Sequence, residues 1–134
     1  MSIDAAINAA QRNIPECVAT GLVDMQTGML LGIKTVDSHP QEVIDLVAAA
    51  TGDLFQGTNV VSVEQMFKKS RGVPDDGHHY FQEIIVNSDN LLHVFQRCKR
   101  NQDLIFVSVC RISANLGMVL TRARMELPKI EASL

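Results

Sequence analysis

Asp75-Asp76-Gly77-His78-His79 places two carboxylates beside two imidazoles, a donor set that several divalent metals accept. Its spacing matches no standard site, and adjacent residues of a strand point to opposite faces, so no metal is expected there. His39 reads as a helix cap and His93 as a structural strand residue. Among the three cysteines, Cys98 has the only electropositive surroundings, with Arg97, Lys99 and Arg100 nearby, the setting that favours a thiolate. No orienting base accompanies it. Cys110 closes an apolar run, where a thiol behaves as a small hydrophobe. Glycine-rich phosphate loops, HExxH, GxSxG and Walker-type lysine motifs are missing. The expectation is a protein without catalytic residues, cofactor or metal, and not an enzyme.

Composition narrows the class further. A chain of 134 residues with 46% hydrophobic and 20% charged residues suits one domain, 1–134, with a sizeable core. A net charge of -3 lacks the basic excess that neutralises phosphates, so nucleic acid is not expected as a partner. Three cysteines without CxxC spacing fit a reducing compartment. No stretch approaches the ~20 apolar residues that cross a bilayer, and no signal pattern opens the chain. Cytoplasm without membrane insertion is the expected location.

The periodicities supply the elements that must carry these residues. Ser2 caps a helix in which Ile3, Ala6, Ile7 and Ala10 recur at helical spacing up to the break at 13–15. Two strands, Cys17 to Met25 and Met29 to Val36, flank Gln26-Thr27-Gly28, where Gly28 supplies the positive φ of a hairpin. Gly21 and Gly32 let a helix or backbone come close. Pro40, after the caps Ser38 and His39, opens a helix to about Gln56. Ser62 and Gln65 form a capping box for a short helix through Lys69. Three further strands follow, Tyr80 to Asn87, Leu91 to Cys98 and Leu104 to Arg111, then a helix from about Ser113 to Pro128. The almost continuous apolar run 104–110 belongs at the sheet centre, and Tyr80 to Asn87, with Gln82 and Glu83 in its middle, at an edge.

The helix after Pro40 is apolar over too wide an arc for one surface. Val43, Val47, Ala50 and Leu54 form one stripe, and Ile44, Ala48, Thr51 and Phe55 another beside it. The first is assigned to the chain's own sheet and the second to another chain. Covering of both stripes by the same domain is the alternative.

The hairpin Gly21-Leu22-Val23-Asp24-Met25-Gln26-Thr27-Gly28-Met29-Leu30-Leu31, the apolar helix after Pro40, and the ending Leu104-Ile105-Phe106-Val107 with Ala114-Asn115-Leu116-Gly117-Met118-Val119-Leu120 resemble the roadblock/dynein light chain family. The resemblance covers nearly the whole chain except 57–79. It implies an α/β (α+β) fold of profilin-like/roadblock shape: a central five-stranded, largely antiparallel sheet in the order α-β-β-α-(short α)-β-β-β-α. It also implies a non-enzymatic homodimer in which the second helix and third strand meet their copies, placing Ile44, Ala48, Thr51, Phe55, Phe81, Ile84 and Val86 at the interface. The family's bacterial members are associated with small Ras-like GTPases, which makes a scaffold or regulator of such a GTPase the implied function. The clusters Lys68, Lys69, Arg71 and Arg97, Lys99, Arg100 are then candidate partner contacts, the second set above all. The segment 57–79 departs from the compact family pattern, and a helix within it can lie over the third strand. A small-molecule sensing module of profilin-like or PAS-like shape stays open as an alternative.

Overall fold

The computed structural model describes the backbone of residues 2–37 and 41–134, and the side chains of 2–37 and 47–134. The caps assigned to Ser38 and His39, the helix start at Pro40, and the side chains of Val43 and Ile44 lie outside the described residues. The elements are α1 (Ile3–Asn13), β1 (Cys17–Asp24), β2 (Met29–Thr35), α2 (Gln41–Gln56), α3 (Thr58–Ser70), β3 (Glu83–Asn87), β4 (Leu91–Arg97), β5 (Leu104–Arg111) and α4 (Leu116–Ala132). The strands form one antiparallel sheet in the order β2-β1-β5-β4-β3. The expected five-stranded α+β architecture is therefore present, with the apolar strand β5 at its centre and β3 at an edge.

Alternation along the strands divides the core into two layers. Leu22, Leu92, Val94, Leu104 and Phe106 face α1 and α4, meeting Ala6, Ile7, Ala10, Val119, Ala123, Leu127 and Ile130. Val23, Phe95, Ile105 and Val107 face α2 and meet Ala48 and Phe55. Ser2 caps α1 by accepting from Ala5 N at 3.1 Å, and Gly28 turns the first hairpin at φ 73°. Gly32 is where α1 crosses β2. A Cβ there would lie 3.3 Å from Ile3 Cγ2 and 3.4 Å from Ile7 Cγ1, tighter than ordinary packing. Gly32→Val must displace the Ile3 and Ile7 side chains, and overpacking of this kind costs about 1–3 kcal/mol. Urea unfolding of the variant should show that loss, and an unchanged midpoint would mean that α1 has room to spare.

Four sequence expectations are corrected by the structure. The stripes of α2 exchange roles: Ala48, Thr51 and Phe55 are buried on the chain's own sheet, whereas Val47, 46% exposed, and Ala50 face outward with Leu54 half-covered. Both stripes are apolar, so periodicity alone does not choose between them. The helix after Gly57 is a full α3, Thr58–Ser70, and not a short helix starting after Ser62 and running through Lys69. Ser62 Oγ donates to Thr58 O inside that helix and so caps nothing. Strand β3 begins at Glu83 and not at Tyr80, because the preceding backbone donors are taken by side chains. His79 N donates to Gln102 Oε1 at 2.8 Å and Tyr80 N to Glu64 Oε2 at 2.5 Å. Finally, α4 starts after the Asn115 cap, which accepts from Met118 N at 3.0 Å, and runs through Pro128 to Ala132. Leu127 and Ile130 are both buried, and packing beyond the proline outweighs the one helical hydrogen bond it omits.

Candidate functional site

The edge strand β3 is the first part of the site. Arg97 N donates to Gln82 O at 2.8 Å and Ser88 N to Leu91 O at 2.8 Å, so residues 82 and 88 belong to hydrogen-bonded pairs of the β3-β4 ladder. Pairing alternates along an antiparallel ladder. Ile84 and Val86 therefore spend their N–H and C=O groups on Phe95 and His93, their partners in register. Glu83, Ile85 and Asn87 turn theirs outward, where no strand among the described residues meets them. The side chains of Ile84 and Val86 share the α2 face, Ile84 packing on its core and Val86 remaining 38% exposed. Ile85, 40% exposed, lies on the α4 face between Glu83 and Asn87. Glu83 is tied down there by Arg124, with contacts of 2.7 and 2.8 Å that hold its carboxyl below the usual range.

The opposite edge, β2, is blunted. A bulge interrupts its pairing opposite Leu22/Val23, and Lys34 sits on it, two devices that discourage strand addition. Strand β3 carries neither, and three successive apolar residues, Ile84-Ile85-Val86, lie along it. Helix α2 adds two exposed apolar positions, Val47, which borders the groove over β1, β2 and β5, and Ala50. Phe81, ahead of β3, is half-buried against the α2 core. Of the seven residues expected at an interface, Ile84 and Val86 thus lie at an open edge and Phe81 beside it, Ala48, Thr51 and Phe55 are interior, and the Ile44 side chain is outside the described residues.

Helix α3 does not extend the sheet at this edge. It packs on α2 and on the segment before β3, with its polarity inverted: Glu64 and Lys68 are buried, while Val63, Met66 and Phe67 are exposed. Lys68 Nζ is held by Asp75 at 3.0 Å and Asp76 at 3.4 Å, and Glu64 by His79 Nδ1 at 2.9 Å and by Tyr80 N. Asp75 and Asp76 are therefore paired with Lys68, and His79 is hydrogen-bonded to Glu64. Among the described residues no three such groups converge.

Burial drives the Glu64 carboxyl up, but the hydrogen bonds from His79 and Tyr80 and the charges of His79 and Arg97 outweigh it, leaving the acid below its usual value. A depressed folded pKa means that the unfolded chain takes up the proton first as pH falls. The stabilisation is present above the unfolded value of about 4.3 and is lost as pH drops through the lower folded one. Urea midpoints between pH 7 and pH 3 should fall toward acid less steeply in Glu64→Gln than in the parent. Parallel curves would remove Glu64 from that account.

Arg97 corrects a further expectation. It is 2% exposed, lying beneath the end of α2 with its guanidinium 5.0 Å from the Phe55 ring centre. Nε donates to Phe81 O at 2.8 Å, Nη1 to Gln102 O at 2.8 Å and Nη2 to Phe55 O at 3.4 Å. It joins three segments internally and cannot touch a partner. Lys99 and Arg100 are exposed and remain available. Cys98 is not the electropositive thiol expected of it. Burial and then the Glu131 carboxylate push it up to about 12.

A groove of about 450 Å³ opens between α2 and the sheet, lined by Val18, Gly21, Ile33, His93, Val109 and Arg111. Burial holds the His93 imidazole below its ordinary value, so it is the neutral form that faces this space. No helix among the described residues is long and apolar enough to cross a membrane.

No family model matches the sequence, and no curated protein matches it. Solved structures do. The roadblock/LC7 domain from Streptomyces avermitilis is 13% identical with a TM-score of 0.68, over 98% of this chain and 97% of that one. The fold is of the roadblock type. Myxococcus xanthus MglB is 18% identical with a TM-score of 0.69, over 98% of this chain and 96% of that one. An MglB with tetrameric arrangement is 18% identical with a TM-score of 0.67, over 98% of this chain and 90% of that one.

Proposed function

We propose that this chain is a non-enzymatic, self-associating scaffold or regulator of a small Ras-like GTPase, working in the cytoplasm. The observation that carries the reading is the open β3 edge, with Ile84, Ile85 and Val86 along it, and the exposed Val47 and Ala50 of α2 supply further apolar surface. Unpaired strand groups next to exposed apolar side chains are what a two-fold pairing of copies consumes. Likeness to an MglB with tetrameric arrangement supports self-association, and the roadblock-type fold supports the GTPase class. Lys99 and Arg100 are the cations placed to meet that partner, in place of Arg97. Ala48, Thr51 and Phe55 act on the interface only by seating α2.

Light scattering across a concentration series tests the self-association, with a dimer mass expected. A strict monomer at high concentration would end the reading. Ras-like GTPases from the same cell, loaded with GDP or a non-hydrolysable GTP analogue, test the partner. Binding that depends on the nucleotide, weakened by Lys99→Glu with Arg100→Glu, is the expected result, and equal absence of binding in both states overturns it.

The groove favours one second reading, the binding of a small apolar molecule between α2 and the sheet. Native mass spectrometry of the purified protein should then show a bound compound. Val109→Phe should expel it without changing the oligomeric state.

A further inference from the structure

Cys17 and Cys110 are partners in register across β1 and β5. Arg111 N donates to Glu16 O at 3.0 Å, so residues 16 and 111 form a hydrogen-bonded pair and the next pair, 17 and 110, is a non-hydrogen-bonded one. At such sites the Cα atoms stand about 4.5 Å apart and the side chains draw together. A disulfide needs Cα atoms about 4.4–6.8 Å apart, a range that includes the usual spacing of such a pair. A bulge between Cys17 and Ala19 breaks the alternation and turns Cys17 toward the α1 and α4 layer, the side that Cys110 also faces. Cys98 is not a competitor. Its N–H donates to Leu104 O, six residues along β5 from Cys110, about 20 Å at the rise of a strand.

We propose that Cys17 and Cys110 are a modification site: a hydroperoxide converts them to an intramolecular disulfide that staples β1 to the central strand β5. All three cysteines are free thiols. Cys17, the first residue of β1, keeps 7% exposure whereas Cys110 has none, so the oxidant reaches Cys17. The Cys17 thiol donates to Ala19 O at 3.2 Å, and the interaction between the neighbouring sulfur atoms lowers the Cys17 pKa while that of Cys110 is raised, so Cys17 is the nucleophile. Its sulfur attacks the terminal peroxide oxygen, the O–O bond breaks, and the departing oxygen leaves as water or an alcohol after taking a proton. Cys110 sulfur then attacks the Cys17 sulfenic acid. The S–S bond forms as the hydroxyl leaves with the Cys110 proton as water. Two thiols and one hydroperoxide give one disulfide, one alcohol or water, and one water. The two sulfur atoms are oxidised and the peroxide reduced.

This inference does not depend on the proposed function. The pair lies on the α1 and α4 side of the sheet, away from the β3 edge, so oxidation should leave self-association unchanged.

The test treats the folded full chain with hydrogen peroxide, quenches it, unfolds it and alkylates the remaining thiols. Alkylatable thiols should fall from three to one, with Cys98 the survivor, and a Cys17–Cys110 linked peptide should appear and vanish on reduction. Cys17→Ala and Cys110→Ala, each checked for folding by circular dichroism, should give no linked peptide. Retention of three thiols in the treated parent overturns the proposal. So does a linkage through Cys98 or between chains, or oxidation of Cys17 to sulfinic acid without a linked peptide.

Discussion

Arg97→Ala should destabilise the protein by about 3–5 kcal/mol, the cost of removing one member of a buried charged network. The guanidinium serves three carbonyls at once, those of Phe55 at the end of α2, Phe81 before β3 and Gln102 in the β4-β5 turn. Its removal leaves the buried Phe55 carbonyl and the half-buried carbonyls of Phe81 and Gln102 without their donor, and a buried acceptor left unpaired costs about 1–3 kcal/mol. It also empties the space beneath the Phe55 ring. Arg97→Lys should recover little, because an ammonium cannot present donors in three fixed directions. Urea unfolding measures both variants. Lys99→Ala and Arg100→Ala, at exposed neighbouring positions, serve as controls and should stay within about 0.5 kcal/mol of the parent. An Arg97→Ala protein with parental stability would show that the three segments hold their places without the clamp.

The same residue shows where the sequence was legible and where it was not. Arg97-Cys98-Lys99-Arg100 reads as a solvated basic run when composition is the guide. Strand alternation contained the better answer: Phe95 and Arg97 share a face two residues apart, and that face is the one α2 covers. The central place of β5, the Gly28 turn, the Gly32 crossing and the edge position of β3 were all readable, because each follows from a local rule that packing did not override. The orientation of α2 was not, since its two apolar stripes are equivalent until a sheet selects one. Helix α3 was hidden more deeply. Its inward residues Glu64 and Lys68 are the charged ones, and their partners His79, Tyr80, Asp75 and Asp76 lie 7 to 16 residues ahead. No hydrophobic periodicity reports such an arrangement. The pairing of Cys17 with Cys110 likewise required the register and bulge of two strands far apart in the chain.

Ile85→Pro should weaken self-association by about thirty-fold or more while leaving the fold intact, and it is the most selective probe of the β3 edge. Proline removes one backbone donor, and the ladder geometry assigns the Ile85 donor to the outer side. The β3-β4 ladder keeps all its bonds, since those belong to Gln82, Ile84, Val86 and Ser88. A two-fold pairing of copies loses the donor twice. At about 1 kcal/mol each, two bonds weaken the dimer by roughly 2 kcal/mol, or about thirty-fold at 1.4 kcal/mol per factor of ten. Collision of the ring with the facing strand adds to that loss. The same change one residue earlier, Ile84→Pro, strikes a ladder bond to Phe95 and the α2 core, so it should lower the urea midpoint as well. Val47→Glu examines the α2 half of the surface, where a charge meeting its two-fold mate opposes association without disturbing Ala48 or Phe55. Sedimentation equilibrium reads dimer strength and urea unfolding at low concentration reads the fold. If Ile85→Pro dimerises like the parent, strand addition at β3 is excluded. If Val47→Glu alone dissociates it, the helices carry the interface.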